Sequence, residues 1–306
     1  MGNTLLETKQ LSKKYGDFTA LSPTSLSIEK GCIYGLIGKN GAGKSTLLRL
    51  ITGQTNPTSG EIILFGKTGS ELGLARKRTG AIVEHPAFYP DLSGRNNLEY
   101  YRIQKGITEK NSINRVLQEV DLLEIADKKF KNYSLGNKQR LGLALALLGN
   151  PDFLILDEPI NGLDPMGIIE IRNLLLELNQ KKHITILISS HILSELETMI
   201  TRVGFIDKGC LIEALEMREL HEKCQKYIEL TVDDSGKAVA VLEEKLLLKH
   251  YEVLPDHIIH VYKDKKVIPE ISKALNQHDI AIHSLTEKGL TLEEYFIRLM
   301  GGNGHA

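Results

Sequence analysis

The stretch GKNGAGKST, Gly38 to Thr46, combines three glycines, two lysines and two hydroxyls at a spacing suited to gripping phosphate. It satisfies G-x-x-x-x-G-K-[ST], with Lys39, Asn40, Gly41 and Ala42 between Gly38 and Gly43, then Lys44, Ser45 and Thr46. Glycines let backbone N–H groups wrap the phosphates, Lys44 brings positive charge to the β and γ phosphates, and Ser45 can ligate Mg²⁺. Further on, FLILDEP runs four apolar residues into Asp157 and Glu158. Carboxylates at the carboxyl end of a buried parallel strand sit where the ligand crevice of such a sheet lies. Asp157 suits the Mg²⁺ shell, directly or through water, and Glu158 suits a base that orients a water at the γ phosphate. Alone, the pair reads more readily as a strand ending in a solvated acidic turn; beside a phosphate loop the catalytic reading wins. His191 follows ISS on the same predicted sheet edge, where a lone histidine is usually structural but here can reach the γ phosphate or the attacking water.

A second polar knot stands ahead of an apolar run in YSLGNKQRLGLALAL, Tyr133 to Leu147. Ser134 reads as a helix cap, and the small Gly136 leaves first-turn N–H groups open to an anion. The alternative is a capped helix that only packs, and the residues do not say whose anion would bind.

These groups need a scaffold, and the hydrophobic pattern supplies one. GCIYGLIG (31–38), FLILD (153–157) and ITILISS (184–190) read as strands buried on both faces, and they alternate with helical patterns. The phosphate loop lies between the first of these strands and a helical LLRLITG. The fold expected is α/β with a largely parallel sheet, interrupted by a helical insert over about 93–149, where ITEKNSINRVLQEVDLLEIAD carries apolar residues at helical spacing. After about residue 215 the texture changes to strand-helix-strand-strand-helix-strand, closed by the helical LEEYFIRLMGG. That order predicts a first domain over 1–215 and a small α+β domain of ferredoxin-like type over 216–306.

Composition excludes several classes. The chain has 306 residues, 42% hydrophobic and 25% charged, which suits a soluble globular protein with room for two cores. A formal net charge of −1 argues against a nucleic-acid partner. Cys32, Cys210 and Cys224 show no C-x-x-C spacing, implying a reducing compartment and no zinc site. No run approaches the roughly 20 apolar residues of a membrane span. MGNTLLETKQ lacks a basic-then-apolar signal, and Leu6 breaks the myristoylation template, so a mature start near Met1 in the cytoplasm is expected.

Taken together and in order, these motifs resemble the ATP-binding subunits of ABC transporters over about residues 4 to 215. Besides the phosphate loop and LILDEP, the resemblance includes Tyr15-Gly16, NGLDP (161–165), SSH (189–191) and, above all, YSLGNKQR where the family carries its LSGGQ signature. It implies a P-loop ATPase core, ATP hydrolysis with Mg²⁺, and a cytoplasmic protein peripheral at the inner face of the membrane, working with a separate permease. It also implies a head-to-tail homodimer in which the signature of one chain, Ser134, Leu135, Gly136 and Asn137, closes over ATP on the phosphate loop of the other. Tyr15 would stack on adenine, although by itself it reads equally as a strand aromatic. Asp164 would lie at the dimer interface; its plain reading is a turn residue or cap before Pro165. Where most of the family has a glutamine that touches Mg²⁺ or the lytic water, VEHPAFYPDL places Glu84, which can still ligate the metal but cannot donate an amide hydrogen bond. Leu135 replaces the first glycine of the signature, and Asn137 closes it. Glu84, SLG and the C-terminal LEEYFIRLMGG look like subunits that export bacitracin or confer lantibiotic immunity.

Other classes are weaker. A soluble mechanical ATPase of the same superfamily, acting on nucleic acid or ribosomes, would bring coiled coils or tandem cassettes, and no sustained heptads are present. A GTPase would need N-K-x-D, but Asn137-Lys138 runs into Gln139-Arg140. Lys44, Asp157, Glu158 and His191 together argue against an inactive nucleotide-binding module.

Overall fold

The computed structural model describes residues 3–301 other than 85, 225, 263 and 264. The chain divides into two compact units, Met1–Met217 and Arg218–Ala306. In the first, β1 (Thr4–Tyr15), β2 (Phe18–Glu29), β3 (Ile33–Ile37) and β4 (Ser59–Leu64) are followed by β5 (Thr79–Ile82), β6 (Phe153–Asp157), β7 (Thr185–Ser190), β8 (Arg202–Asp207) and β9 (Cys210–Glu216). The six-stranded sheet has the order β5-β6-β7-β3-β8-β9 and is parallel except where β9 turns back on β8. A smaller antiparallel sheet has the order β2-β1-β4.

The central strands explain their own composition. Every residue of β3 and β7 is buried, as is β6 up to Asp157, because the strands lie mid-sheet with both faces covered. Burying each Ile or Leu there is worth about 1.5–3 kcal/mol. Apolar content therefore runs without alternation until the carboxyl ends, where Asp157 and the stretch after Ser190 turn polar. The β6–β7 register sets Asp157 directly opposite Ser189. Between β5 and β6 lie the helices Gly94–Gln104, Ser112–Glu119 and Leu135–Leu147, within the expected insert.

The unit boundary falls two residues beyond position 215, because β9 pairs with β8 through Glu216, opposite Arg202. In the second unit, β10 (Tyr227–Val232), β11 (Tyr251–Leu254), β12 (Ile258–Val261) and β13 (Ile282–Lys288) form an antiparallel sheet in the order β11-β12-β10-β13. Helices Ser235–Leu246 and Ile268–Gln277 make the two crossovers. Alternation in YIELTV sends Ile228, Leu230 and Val232 into a core with Leu242, Ile259, Ile271 and Leu275. Among the described residues, no helix is long and apolar enough to cross a membrane.

Candidate functional site

The phosphate loop leaves β3 at Gly38 and enters the helix Lys44–Thr52. Two features force the sequence here. Gly43 has φ +106°, and a side chain on Gly38 would come within 2.4 Å of the Ile206 carbonyl oxygen. The first hydrogen bond of the helical turn runs from Leu47 N to Gly43 O at 3.0 Å, so the amides of Lys44, Ser45 and Thr46 precede the intrahelical ladder and suit an anion. A hairpin supports the loop from beneath: Gly209, between β8 and β9, donates its N–H to Ala42 O at 2.9 Å and accepts from Ser22 N at 2.8 Å.

A cavity of about 350 Å³ opens over this loop, lined by Lys39 through Thr46 together with Phe18, Ala20, Glu158 and Asn161. The Lys44 side chain is only 5% exposed. Its ammonium donates to Gly38 O at 2.6 Å and stands 3.0 Å from Glu158 Oε1. The other Glu158 oxygen lies 2.6 Å from His191 Nδ1. Glu158 itself has φ +49°, a conformation that costs a residue with a side chain about 1–3 kcal/mol. Ser189 holds it there, accepting from Glu158 N on both Oγ (3.0 Å) and the carbonyl (3.2 Å), while Ser189 Oγ donates to Asp157 Oδ1 at 2.6 Å. One buried hydroxyl thus ties the Asp157 carboxylate to the backbone of Glu158. A further acid is close by: burial and the Glu158 charge push the Glu195 carboxyl above its ordinary range, while His191 and a hydrogen bond with Ser190 pull the other way.

The signature stretch forms a different place. Ser134 caps the helix Leu135–Leu147, its hydroxyl accepting from Asn137 N at 3.2 Å. Ser134, Leu135, Gly136 and Asn137 line a groove of about 410 Å³ with Gly162, Leu163 and Asp164, and this groove shares no residue with the phosphate-loop cavity. Asp164 caps the next helix, Pro165–Lys182, by accepting from Gly167 N at 3.1 Å. The NGLDP loop therefore touches both: Asn161 lines the cavity and Asp164 the groove.

The ABC transporter family description matches residues 21–161. The bacitracin transport ATP-binding protein BcrA of Bacillus licheniformis is 41% identical over 304 residues, covering 98% of each chain. The chain belongs to the ABC transporter ATP-binding family. The lantibiotic transport ATP-binding protein SrtF of Streptococcus pyogenes is 43% identical over 208 residues, covering 68% of this chain and 89% of that one. Among solved structures, the dimeric post-hydrolysis state of the ATP-binding cassette MJ0796, bound to ADP and Pi, is 26% identical with a TM-score of 0.63, covering 70% of this chain and 99% of that one. As an ABC ATPase the chain hydrolyses ATP in the service of transport, and its first unit carries the P-loop NTPase fold.

Of the family positions, Gly38, Asp157 and His191 adjoin lining residues of the ABC cassette's cavity without lining it, and two others stand apart from it. Tyr15 is half exposed beneath the Lys13 ammonium and does not line it; its cross-strand partner Phe18, which the sequence did not single out, does. Glu84 does not line it either. Its backbone is left-handed (φ +65°), and its carboxylate is taken by Arg49 in the last turn of the phosphate-loop helix. For Mg²⁺, no cluster of three or more His, Cys, Asp or Glu side chains among the described residues forms a complete cage. The donors that fit are the Ser45 hydroxyl, which lines the cavity, and the Asp157 carboxylate, bonded to Ser189 next to the lining residue Glu158, a sparse set of the kind Mg²⁺ completes with water and phosphate oxygens.

Proposed function

We propose that this chain is the ATPase half of an exporter that clears a peptide antibiotic of the bacitracin or lantibiotic kind through a separate membrane permease. The relatives BcrA and SrtF, named for such transport, support the cargo. The observation that carries the mechanism is the separation of the signature groove from the phosphate-loop cavity. A nucleotide that needs both must lie between two chains, with Ser134 and Gly136 of one facing the γ phosphate on the other in a head-to-tail homodimer. The first unit is the catalytic cassette and the second an accessory domain, with the assembly at the cytoplasmic face of the membrane.

Within one cavity the roles follow from the contacts. An arriving γ phosphate competes with Glu158 for the Lys44 ammonium, which frees that carboxylate to accept a proton from the attacking water. His191 holds the other Glu158 oxygen and stands ready for the γ phosphate. Mg²⁺ held by Ser45 and Asp157 would neutralise charge on the transferring phosphate. Glu84 could join the metal only after its pair with Arg49 opens. Phe18 lines the cavity with Tyr15 as its cross-strand neighbour, and adenine would stack on this aromatic side. Contacts to the γ phosphate favour the closed dimer, and hydrolysis removes them.

Glu158→Gln tests this reading. The variant should bind ATP, lose turnover and accumulate as an ATP-bound dimer, and cells carrying it should be as sensitive to bacitracin or a lantibiotic as cells lacking the chain. Unchanged hydrolysis would remove Glu158 as the base, and unchanged resistance to both antibiotic classes would remove the export role.

A further inference from the structure

Arg140 lies in the second turn of the signature helix and lines the same groove as Ser134 and Asp164. Its side chain is 15% exposed and joins three segments that are distant in sequence. Nη1 donates to Val120 O at 2.8 Å, at the end of the insert helix Ser112–Glu119, with the Asp121 carboxylate 3.9 Å away. Nη2 donates to Glu170 Oε2 at 2.7 Å, on the helix that Asp164 caps. A second tie lies 12 residues further along that helix, about 18 Å at 1.5 Å per residue. There Lys182 Nζ meets Glu119 Oε1 at 2.5 Å, and Arg115 lies 3.2 Å from the same oxygen. The helix Pro165–Lys182 is thus strapped to the helical insert at both ends, once through a guanidinium and once through an ammonium.

The chemistry at the two ends differs. Glu119 and Lys182 are the last residues of their helices, and Lys182 stands at the end far from Asp164. Arg140, by contrast, is six residues from Ser134 on the helix that serine caps, and Glu170 is six residues from Asp164 on its helix. A planar guanidinium with fixed donor directions satisfies a carbonyl on one side and a carboxylate on the other, which sets the angle between the helices as well as their distance.

We propose that Arg140 is a positioning residue for the composite nucleotide site: through Glu170 it locks the signature helix to the helix after Asp164, so that Ser134 and Asp164 meet a second chain as one surface. The inference rests on the head-to-tail reading above. It assigns Arg140 and Glu170 to dimer closure and leaves nucleotide binding by a single chain to the phosphate loop.

The test uses the full chain in the Glu158→Gln background, with two readouts: binding of a fluorescent ATP analogue by the monomer, and the ATP concentration that half-converts monomer to dimer. Glu170→Ala, whose side chain is 52% exposed and whose loss spares the fold, should raise the half-conversion concentration about tenfold, in line with loss of a charged hydrogen bond, and leave monomer binding unchanged. Arg140→Lys should recover only part of closure relative to Arg140→Ala, since an ammonium can meet Glu170 without also fixing the Val120 carbonyl. Arg140→Ala combined with Glu170→Ala should be no worse than Arg140→Ala alone. Normal dimerisation by Glu170→Ala, or an equal loss in monomer binding, overturns the assignment. Ser134→Arg is the control for the reading beneath it. If Ser134→Arg blocks the dimer while Glu170→Ala does not, only the role of Arg140 falls; if Ser134→Arg dimerises normally, the head-to-tail reading falls and this inference with it.

Discussion

Replacing Ser189 with alanine should damage catalysis without touching the nucleotide's own contacts. Ser189 is fully buried, and its hydroxyl both donates to Asp157 at 2.6 Å and accepts from Glu158 N at 3.0 Å. The first bond is to a carboxylate and is worth about 1.5–3 kcal/mol. The second is a neutral bond whose donor keeps the Ser189 carbonyl at 3.2 Å, so its loss adds only about 0.5 kcal/mol. The first unit should therefore lose about 2–3.5 kcal/mol of stability. For the reaction, the consequence is a Glu158 released from its left-handed backbone and an Asp157 carboxylate without its donor. At about 1.4 kcal/mol per decade, misplacing the proposed base and the proposed metal ligand should lower kcat about tenfold to a hundredfold. The KM for ATP should hold, because Lys44 and the loop amides are unchanged. Phosphate release at saturating MgATP measures the first effect, and urea unfolding of the full chain, following the transition of the first unit, measures the second. A kcat within about twofold of the parent, together with a stability loss under about 0.5 kcal/mol, would refute the claim that this hydroxyl organises the two carboxylates.

Two further substitutions read different parts of the same site. Gly38→Ala should impair ATP binding and thermal stability more than Gly41→Ala: a Cβ at 38 meets the Ile206 carbonyl at 2.4 Å, whereas one at 41 meets open space and costs only the roughly 1–2 kcal/mol of a left-handed backbone. Equal losses in a nucleotide titration would show that backbone angle, and not the close approach to β8, governs the loop. Glu195→Gln should change the pH dependence of stability. Because the Glu195 carboxyl titrates above its ordinary value of 4.5, the fold prefers it protonated, so its favourable contribution is complete below pH 4.5 and is lost as pH rises through the folded-state value. Unfolding at pH 4 and pH 7.5 should show the variant gaining on the parent at the higher pH, and a pH-independent difference would contradict the burial of that acid.

What the sequence displayed and what it hid have a common physical basis. The phosphate loop was legible because its chemistry sits in nine consecutive residues, and because β3, β6 and β7 announce themselves as unbroken apolar runs. The second unit was legible through alternation in YIELTV and helical spacing in its crossovers. Ser189 stood in plain sight in SSH, yet its role depends on the β6–β7 register that sets it opposite Asp157, 32 residues away, and no local pattern encodes a register. Phe18 was missed for the same reason, since only the β1–β2 pairing puts it beside Tyr15. Strands β1 and β2 are themselves poorly marked: register shifts around Leu11 and a left-handed Gln10 break their alternation. Glu195 carried no local signal either, because the helix that holds it begins only at Leu193, after an extended Ile192, so helical spacing does not relate it to His191.

The hairpin beneath the phosphate loop bears on the thermodynamics of ATP capture. With Gly209 bonded both to Ala42 and to Ser22, and with Gly43 held against the Ala20 carbonyl, the loop is braced from β2 and from the β8–β9 turn at once. A glycine-rich segment left to itself would forfeit conformational entropy each time a nucleotide ordered it, at about 1–2 kcal/mol per residue. Here that loss is incurred once, during folding, so more of the phosphate's interaction energy survives as affinity. The loop's softness is thus confined to the sequence, and its shape belongs to the scaffold.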